Sequence, residues 1–201
     1  MQAILDALPD PLPATQRFVI AISGAPASGK TTLAGELCSA LAPKAALLGM
    51  DAFHYDDQIL QARGDRQRKG APHTFDVDGY AALLRRLRTE PAQAITVPEF
   101  DRTLELTRNA AHIVTADQQI LITEGNYLLL DEHPWSALAP CFDLTVSVDV
   151  PIAVIEERIV QRWLDHGLTA SEAARRFADN DGPNAMLVQS SSRPADISVT
   201  T

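Results

Sequence analysis

Lysine is nearly missing from this chain: its 201 residues contain Lys30, Lys44 and Lys69 and no others. None of the three is followed two places later by Asp, so the Asn/Thr-Lys-x-Asp element of guanine-reading switches is absent. A GTPase is thereby set aside. Cysteine is scarce as well. Cys38 and Cys141 lie far apart, without a C-x-x-C pair or a neighbouring histidine pair. That pattern excludes a zinc site or a disulfide framework and fits a reducing, cytoplasmic setting. Basic charge is in deficit: 17 Lys+Arg against 26 Asp+Glu give a net charge of −9. No cationic surplus exists to displace counterions from a nucleic acid. Long apolar runs are missing too. The first 16 residues mix Ile4, Leu5 and Leu8 with Asp6, Pro9, Pro11 and Pro13. They read as neither a signal peptide nor a membrane span, but as a helical turn at the edge of a core. What remains, 46% hydrophobic and 21% charged residues over this length, describes one globular α/β domain.

Against that plain background one motif stands out. Residues 24–31 read Gly24-Ala25-Pro26-Ala27-Ser28-Gly29-Lys30-Thr31, an uninterrupted G-x-x-x-x-G-K-[ST] loop. The apolar run Phe18-Val19-Ile20-Ala21-Ile22 precedes it and a helix-like run from Thr32 follows it. This strand–loop–helix context distinguishes a phosphate-binding loop from a glycine-rich turn with a surface lysine. Backbone N–H groups converge in such a loop, and the helix N-terminus adds its positive dipole end. Lys30 then reaches the β- and γ-phosphates, and the Thr31 hydroxyl takes a Mg²⁺ position, with Thr32 next in line.

Five strand candidates alternate with helices, at 17–23, 45–50, 120–123, 144–149 and 196–199. The alternation predicts a mostly parallel sheet covered on both faces, a three-layer α/β/α domain over 17–201 preceded by an extension, 1–16. Tyr80, Leu83, Leu84 and Leu87 form one helical stripe, with Asp76 and Asp78 as cap candidates. Ile152, Ile155, Ile159 and Trp163 form another, which Pro151 suits at its first turn. Thr169 and Glu172 have capping-box spacing for a helix through Phe177. Asp181-Gly182-Pro183 predicts a break, then a new helix through Leu187. Residues 56–76 and 96–118 show no strong period, which marks functional loops or small local structure.

Ligands of a doubly wound sheet gather at the carboxyl ends of its strands. Asp51 follows the second strand candidate and Glu124 the third. One carboxylate there can take a proton from an attacked hydroxyl while the other serves a metal shell. We assign Asp51 to the hydroxyl and Glu124 to the metal; sequence leaves the reverse open, and a mere turn-capping role for each. Arg158 and Arg162, spaced i, i+4 off the apolar stripe, suit a lid over the phosphates at about 158–180, with Arg175 and Arg176 beyond Gly167. The competing reading is a solvated face pairing with Glu156, Glu157 or Asp165. Phe53 can wall a pocket and His54 can donate to a substrate oxygen, or both can pack and cap locally. Arg63, Arg66, Arg68, Lys69 and His73 form a basic cluster that suits an anionic group or an exposed loop. Arg102 can grip a carboxylate or phosphate, or pair with Asp101 or Glu99.

Several segments occur in a telling order: the phosphate loop, Met50-Asp51-Ala52-Phe53-His54, Lys69-Gly70-Ala71-Pro72-His73-Thr74-Phe75-Asp76, Val97-Pro98-Glu99-Phe100-Asp101 and Thr123-Glu124-Gly125-Asn126-Tyr127. Over residues 17–199 the chain resembles the uridine kinase, bacterial pantothenate kinase and phosphoribulokinase group of P-loop kinases. Asn180-Asp181-Gly182-Pro183-Asn184-Ala185 is similar to a segment of a subgroup labelled fructose transport system kinases. The resemblance implies an ATP- and Mg²⁺-dependent kinase acting on a hydroxylated small molecule, a fructose-type sugar first, then pantothenate or a nucleoside. It implies Gly24 to Thr32 for the nucleotide, Lys30, Asp51, Arg158 and Arg162 for transfer, and Thr31 with Glu124 for the metal. Asp51, Phe53, His54, Arg102 and Tyr127 then surround the acceptor. The i, i+4 arginine spacing departs from uridine kinases, so which arginine meets the γ-phosphate stays open. A pyrimidine-reading signature is lacking. An ATP-binding regulatory or transport-coupled module is the alternative of another class, and a homodimer is left open.

Overall fold

Every position of the first strand, β1 (Phe18–Gly24), is buried, as expected of a strand enclosed on both faces. The computed structural model, which describes residues 1–200, supplies its neighbours. In chain order, α1 (Gln2–Asp6) precedes β1, and α2 (Lys30–Ala40), β2 (Ala45–Gly49), α3 (Asp57–Arg63) and α4 (Val77–Thr89) follow it. Next come a hairpin of β3 (Ile95–Asp101) and β4 (Leu106–Val114), then β5 (Ile120–Gly125) and β6 (Leu144–Asp149). Helices α5 (Ile152–Asp165), α6 (Ala170–Arg176) and α7 (Gly182–Ser191) lead to β7 (Ile197–Thr200). The main sheet has the order β2-β5-β1-β6-β7 and all its pairings are parallel. Its five strands coincide with the five predicted.

Helices cover both sides. Successive side chains of β5 alternate between faces: Thr123 meets the Tyr80 hydroxyl of α4, whereas Glu124 meets Thr31 of α2. The α4 stripe buries Val77, Tyr80, Ala81, Leu84 and Leu87, and Asp76 caps it by accepting from the Gly79 N–H at 3.0 Å. Asp78 lies in the first turn instead. Pro151 is the residue before α5, outside its first turn. The Thr169–Glu172 capping box forms as expected. Ile4 of α1 is wholly buried in the core, so the N-terminal segment packs on the domain.

Two further expectations change. Residues 96–118 are largely the β3–β4 hairpin, with a bulge between Val97 and Glu99 at Pro98. The predicted break at Asp181-Gly182-Pro183 is absent: α6 runs into α7 through a π-helical turn, Phe177–Asp181. Pro183 falls in the first turn of α7, where its missing N–H costs nothing. Gly182 is there for proximity, since a Cβ would stand 3.0 Å from the Phe177 carbonyl oxygen.

Below the sheet, at the amino ends of the strands, lies a buried cation. Arg17 is wholly buried and donates to six carbonyl oxygens, those of Leu87, Glu90, Pro91, Gln93, Thr115 and Gln118, at 2.6–3.1 Å. It thereby fastens the end of α4 to both feet of the hairpin. Alongside it, Arg88 grips Asp143 through two bonds of 2.6 and 2.7 Å, and Asp143 accepts from the Val19 N–H at 2.8 Å.

Candidate active site

The loop from Gly24 to Thr31 wraps the N-terminus of α2. Gly29 has φ +94° and precedes the helix, a backbone shape that disfavours any side chain. Ala27 shares the left-handed region at φ 60°, strain of the kind that anion-binding backbone nests hold. At Gly24 the constraint is space, because a Cβ would stand 2.6 Å from Ser28 Oγ and 3.0 Å from the Val148 carbonyl oxygen. Lys30 folds back, its Nζ 3.4 Å from the Ala25 carbonyl oxygen. Burial holds its ammonium below the ordinary value, while Glu124 and Asp51 pull the other way.

Sheet order arranges the carboxylates. β5 lies between β1 and β2, and Glu124 is in register with Ile22 on one side and Gly49 on the other. Glu124 is buried and accepts from the Thr31 hydroxyl at 3.2 Å. Burial pushes its carboxyl up, and Lys30 opposes that. Thr31 and Glu124 thus offer adjacent hard oxygen donors, a set that suits Mg²⁺, which takes few protein ligands and completes its shell with water and phosphate. Asp51 stands one strand farther out, in the 3-10 turn Met50–Phe53 that follows β2. Its Oδ2 accepts from Arg102 Nη2 at 2.8 Å, so neither Asp101 nor Glu99 is the partner of Arg102. Those two acids are held by Arg108, and Glu99 also by His112.

The cleft beside Asp51 is walled by rings. His54 lies 4.0 Å from Phe75 and 5.1 Å from Phe100, centroid to centroid. Its Nδ1 is 2.8 Å from the Asp51 carbonyl oxygen. A carbonyl only accepts, so Nδ1 carries the proton. Burial holds the imidazole below its ordinary value, favouring the neutral ring. Nε2 is therefore an acceptor. In this tautomer the ring has no N–H left for the donation to a substrate oxygen that the sequence predicts, and Nε2 can only accept. His54, Phe100, Lys69 and Thr107 line a recess of about 160 Å³. Phe53 turns inward onto Tyr80, 4.7 Å between centroids. Tyr127 is wholly buried and donates to the Gly70 carbonyl at 2.6 Å, so it braces the wall from behind and presents no surface to an acceptor. The basic cluster is dispersed. Arg66 and Lys69 pair with Asp57, His73 with Asp65, Arg68 donates to the Asp179 carbonyl, and Arg63 lies over Tyr55.

On the lid side, Arg158 Nη1 donates to the Ala27 carbonyl at 3.2 Å, bringing its guanidinium to the phosphate loop. Arg162 is close enough to lower the Lys30 ammonium by repulsion. Trp163 organises the rest: its Nε1 donates to Asp181 at 2.9 Å, and the Arg176 guanidinium lies 4.0 Å from the ring centroid. Sequence reasoning missed a cavity of about 590 Å³ on the other side of the loop. Residues 23–25, 148–151 and 192–195 line it, together with Val188 and Gln189 of α7. Apart from Gly24 and Ala25 of the phosphate loop, that lining comes from scattered segments with no motif of their own.

The geometry has counterparts in known proteins. The family model for the phosphoribulokinase/uridine kinase family matches residues 19–167. The Escherichia coli K12 protein YggC, of uncharacterized activity, is 36% identical over 190 residues, covering 92% of this chain and 78% of its own. A pantothenate kinase of Mycobacteroides abscessus is 31% identical over 153 residues, covering 73% of this chain and 48% of its own. A crystal structure of a candidate fructose transport system kinase from Silicibacter sp. TM1040 is 39% identical with a TM-score of 0.91, covering 98% of this chain and 96% of the other. Loop, strand order and sequence agree: the chain belongs to the phosphoribulokinase/uridine kinase family of P-loop kinases.

Proposed function

We propose that this protein moves the γ-phosphoryl group of ATP onto a hydroxyl of a small sugar-like metabolite, with Asp51 as the proton acceptor. Family membership carries the coarser part, an ATP-dependent kinase. The sugar is suggested by the likeness to the Silicibacter protein, and the residue roles by the site's own geometry.

One observation carries the assignment of roles. Glu124, on the strand between those of the phosphate loop and Asp51, already hydrogen-bonds Thr31, which leaves Asp51 on the outer, acceptor side. Thr31, with Glu124 beside it, would hold Mg²⁺, which would supply charge neutralisation at the phosphates. The loop amides and Lys30 hold the β- and γ-phosphates in place. The cavity beside residues 23–25 receives the nucleoside. Asp51 orients the acceptor hydroxyl and takes its proton as the oxygen bonds to γ-phosphorus. The bond from γ-phosphorus to the bridging oxygen breaks, and ADP leaves with that electron pair. Arg158 and Arg162, close to the loop, stabilise charge on the migrating group and, with the lid of about 158–180, exclude water. His54 and Phe100 shape the acceptor recess.

The test is a panel of sugars, pantothenate, glycerate and nucleosides incubated with ATP and Mg²⁺, with products identified by mass. A phosphorylated product that disappears with Lys30→Ala supports the proposal. ATP consumption indifferent to every metabolite would point instead to a regulatory or transport-coupled module.

A further inference from the structure

Asp51 does not stand open to an acceptor. Its Oδ2 is held by Arg102, which reaches it from the turn of the β3–β4 hairpin. The two side chains are 67% and 27% exposed, so this contact lies at the mouth of the site. Arg102 is not there for want of nearer acids. Asp101 accepts from the Thr103 and Leu104 N–H groups at 3.0 and 3.1 Å and pairs with Arg108 at 3.4 Å, and Arg108 also takes Glu99. Arg102 thus crosses from the hairpin to the end of β2, next to the charges of Lys30 and Glu124, both of which feel it.

An acceptor hydroxyl that bonds to Asp51 has to share or displace this guanidinium. Arg102 then needs another acceptor of hydrogen bonds, inside a cleft that lid closure dries. A planar guanidinium meets carboxylate and phosphate oxygens through paired N–H groups and carries no acceptor of its own. A neutral hydroxyl matches it poorly, whereas an acidic group on the substrate replaces the lost partner charge for charge. We propose that Arg102 selects the acceptor, and that the acceptor is a hydroxylated compound bearing a carboxylate or a phosphate, which takes Arg102 as its hydroxyl takes Asp51. The inference rests on the kinase reading above and deepens it.

The experiment compares matched acceptors at fixed MgATP: glycerol, glycerate and glycerol 3-phosphate, then fructose, gluconate and fructose 6-phosphate. Phosphorylated product is measured for the wild type, Arg102→Ala and Arg102→Lys. The expected result is a kcat/KM at least tenfold higher for an acidic member than for its neutral counterpart. The carboxylate and phosphate arms tell which acid is meant. Arg102→Ala should remove that preference mainly through the acceptor KM, with the KM for ATP within about twofold of wild type, and Arg102→Lys should restore part of it. Arg102 is exposed, and an unchanged Tm in both variants separates selection from loss of fold. Neutral acceptors used as well as acidic ones, or a preference that survives Arg102→Ala, would overturn the inference while leaving the kinase intact. Product from none of these acceptors would overturn this inference, and ATP consumption that also ignores the pantothenate and nucleosides of the wider panel would overturn the kinase reading with it.

Discussion

Replacing Arg17 by Met tests whether the buried guanidinium holds the foot of the acceptor hairpin. The side chain is wholly buried and makes six N–H···O=C contacts of 2.6–3.1 Å. Hydrogen bonds to a charged group contribute about 1.5–3 kcal/mol each in isolation, but the six share one cation whose desolvation offsets much of the sum. Methionine fills the stem but removes the shared donor: the Glu90 and Thr115 carbonyls keep the N–H groups of Gln93 and Gln118, each at 3.2 Å, while those of Leu87, Pro91, Gln93 and Gln118 lose the guanidinium. Carbonyls left without a donor cost about 1–3 kcal/mol each where water cannot reach them, and the relieved desolvation of the cation offsets part of that, so a net loss of roughly 3–5 kcal/mol is expected. For a domain of this size that is a Tm drop of roughly 6–20 °C. Lysine, with three donors and no planar fork, should recover less than half of it. Arg86→Ala is the comparison, since its i, i+4 pair with Glu90 is exposed and worth at most about 0.5 kcal/mol. Thermal melts and urea titrations read both. If Arg17→Met melts within about 3 °C of Arg86→Ala, the carbonyl cluster is satisfied by water and the reasoning fails.

Two further outcomes follow from the site. Burial holds the His54 imidazole below its ordinary value, so the unfolded chain binds a proton there more readily than the folded one. Its contribution to stability is present above about pH 6.5 and is lost as pH falls through the folded value; His54→Asn should flatten the decline in Tm between pH 7 and 5, and parallel curves would refute this. Arg158→Ala should lower kcat by roughly 10²-fold, the scale for losing one preorganised charge-stabilising donor. Nucleotide affinity by calorimetry should change little, and an unchanged kcat would reduce the Ala27 contact to a surface one.

Much of the fold is legible in the sequence because enclosed parallel strands are apolar runs that end where the chemistry begins. β1 into the phosphate loop and β5 into Glu124 both follow that rule. The hairpin escapes it. β4 is buried only at Val114, and Pro98 and a bulge interrupt β3, so no alternation marks either strand. Asp181-Gly182-Pro183 reads as a stop, yet each residue is tolerated: the proline at a helix start, the glycine against Phe177. Long-range pairings are equally silent. Arg102 has carboxylates one and three positions away, but takes Asp51, which is 51 positions away, because β3 and β4 deliver it across the cleft. Arg17 shows no sign of its carbonyl partners, which lie 70 to 101 positions along the chain. Tyr127, three places after Glu124, has the sequence look of a ligand contact, and burial turns it into a brace.

The account depends above all on Asp51, placed two strands from the strand of the phosphate loop, with Glu124 on the strand between them. The direct measurement is phosphoryl transfer by Asp51→Asn beside its affinity for MgATP, using the best acceptor from the panel. We expect transfer to fall by about 10²–10⁴-fold, the scale of general-base catalysis, with nucleotide affinity within a few-fold of wild type. Transfer within tenfold of wild type would remove Asp51 from the chemistry and return Glu124 as the candidate base.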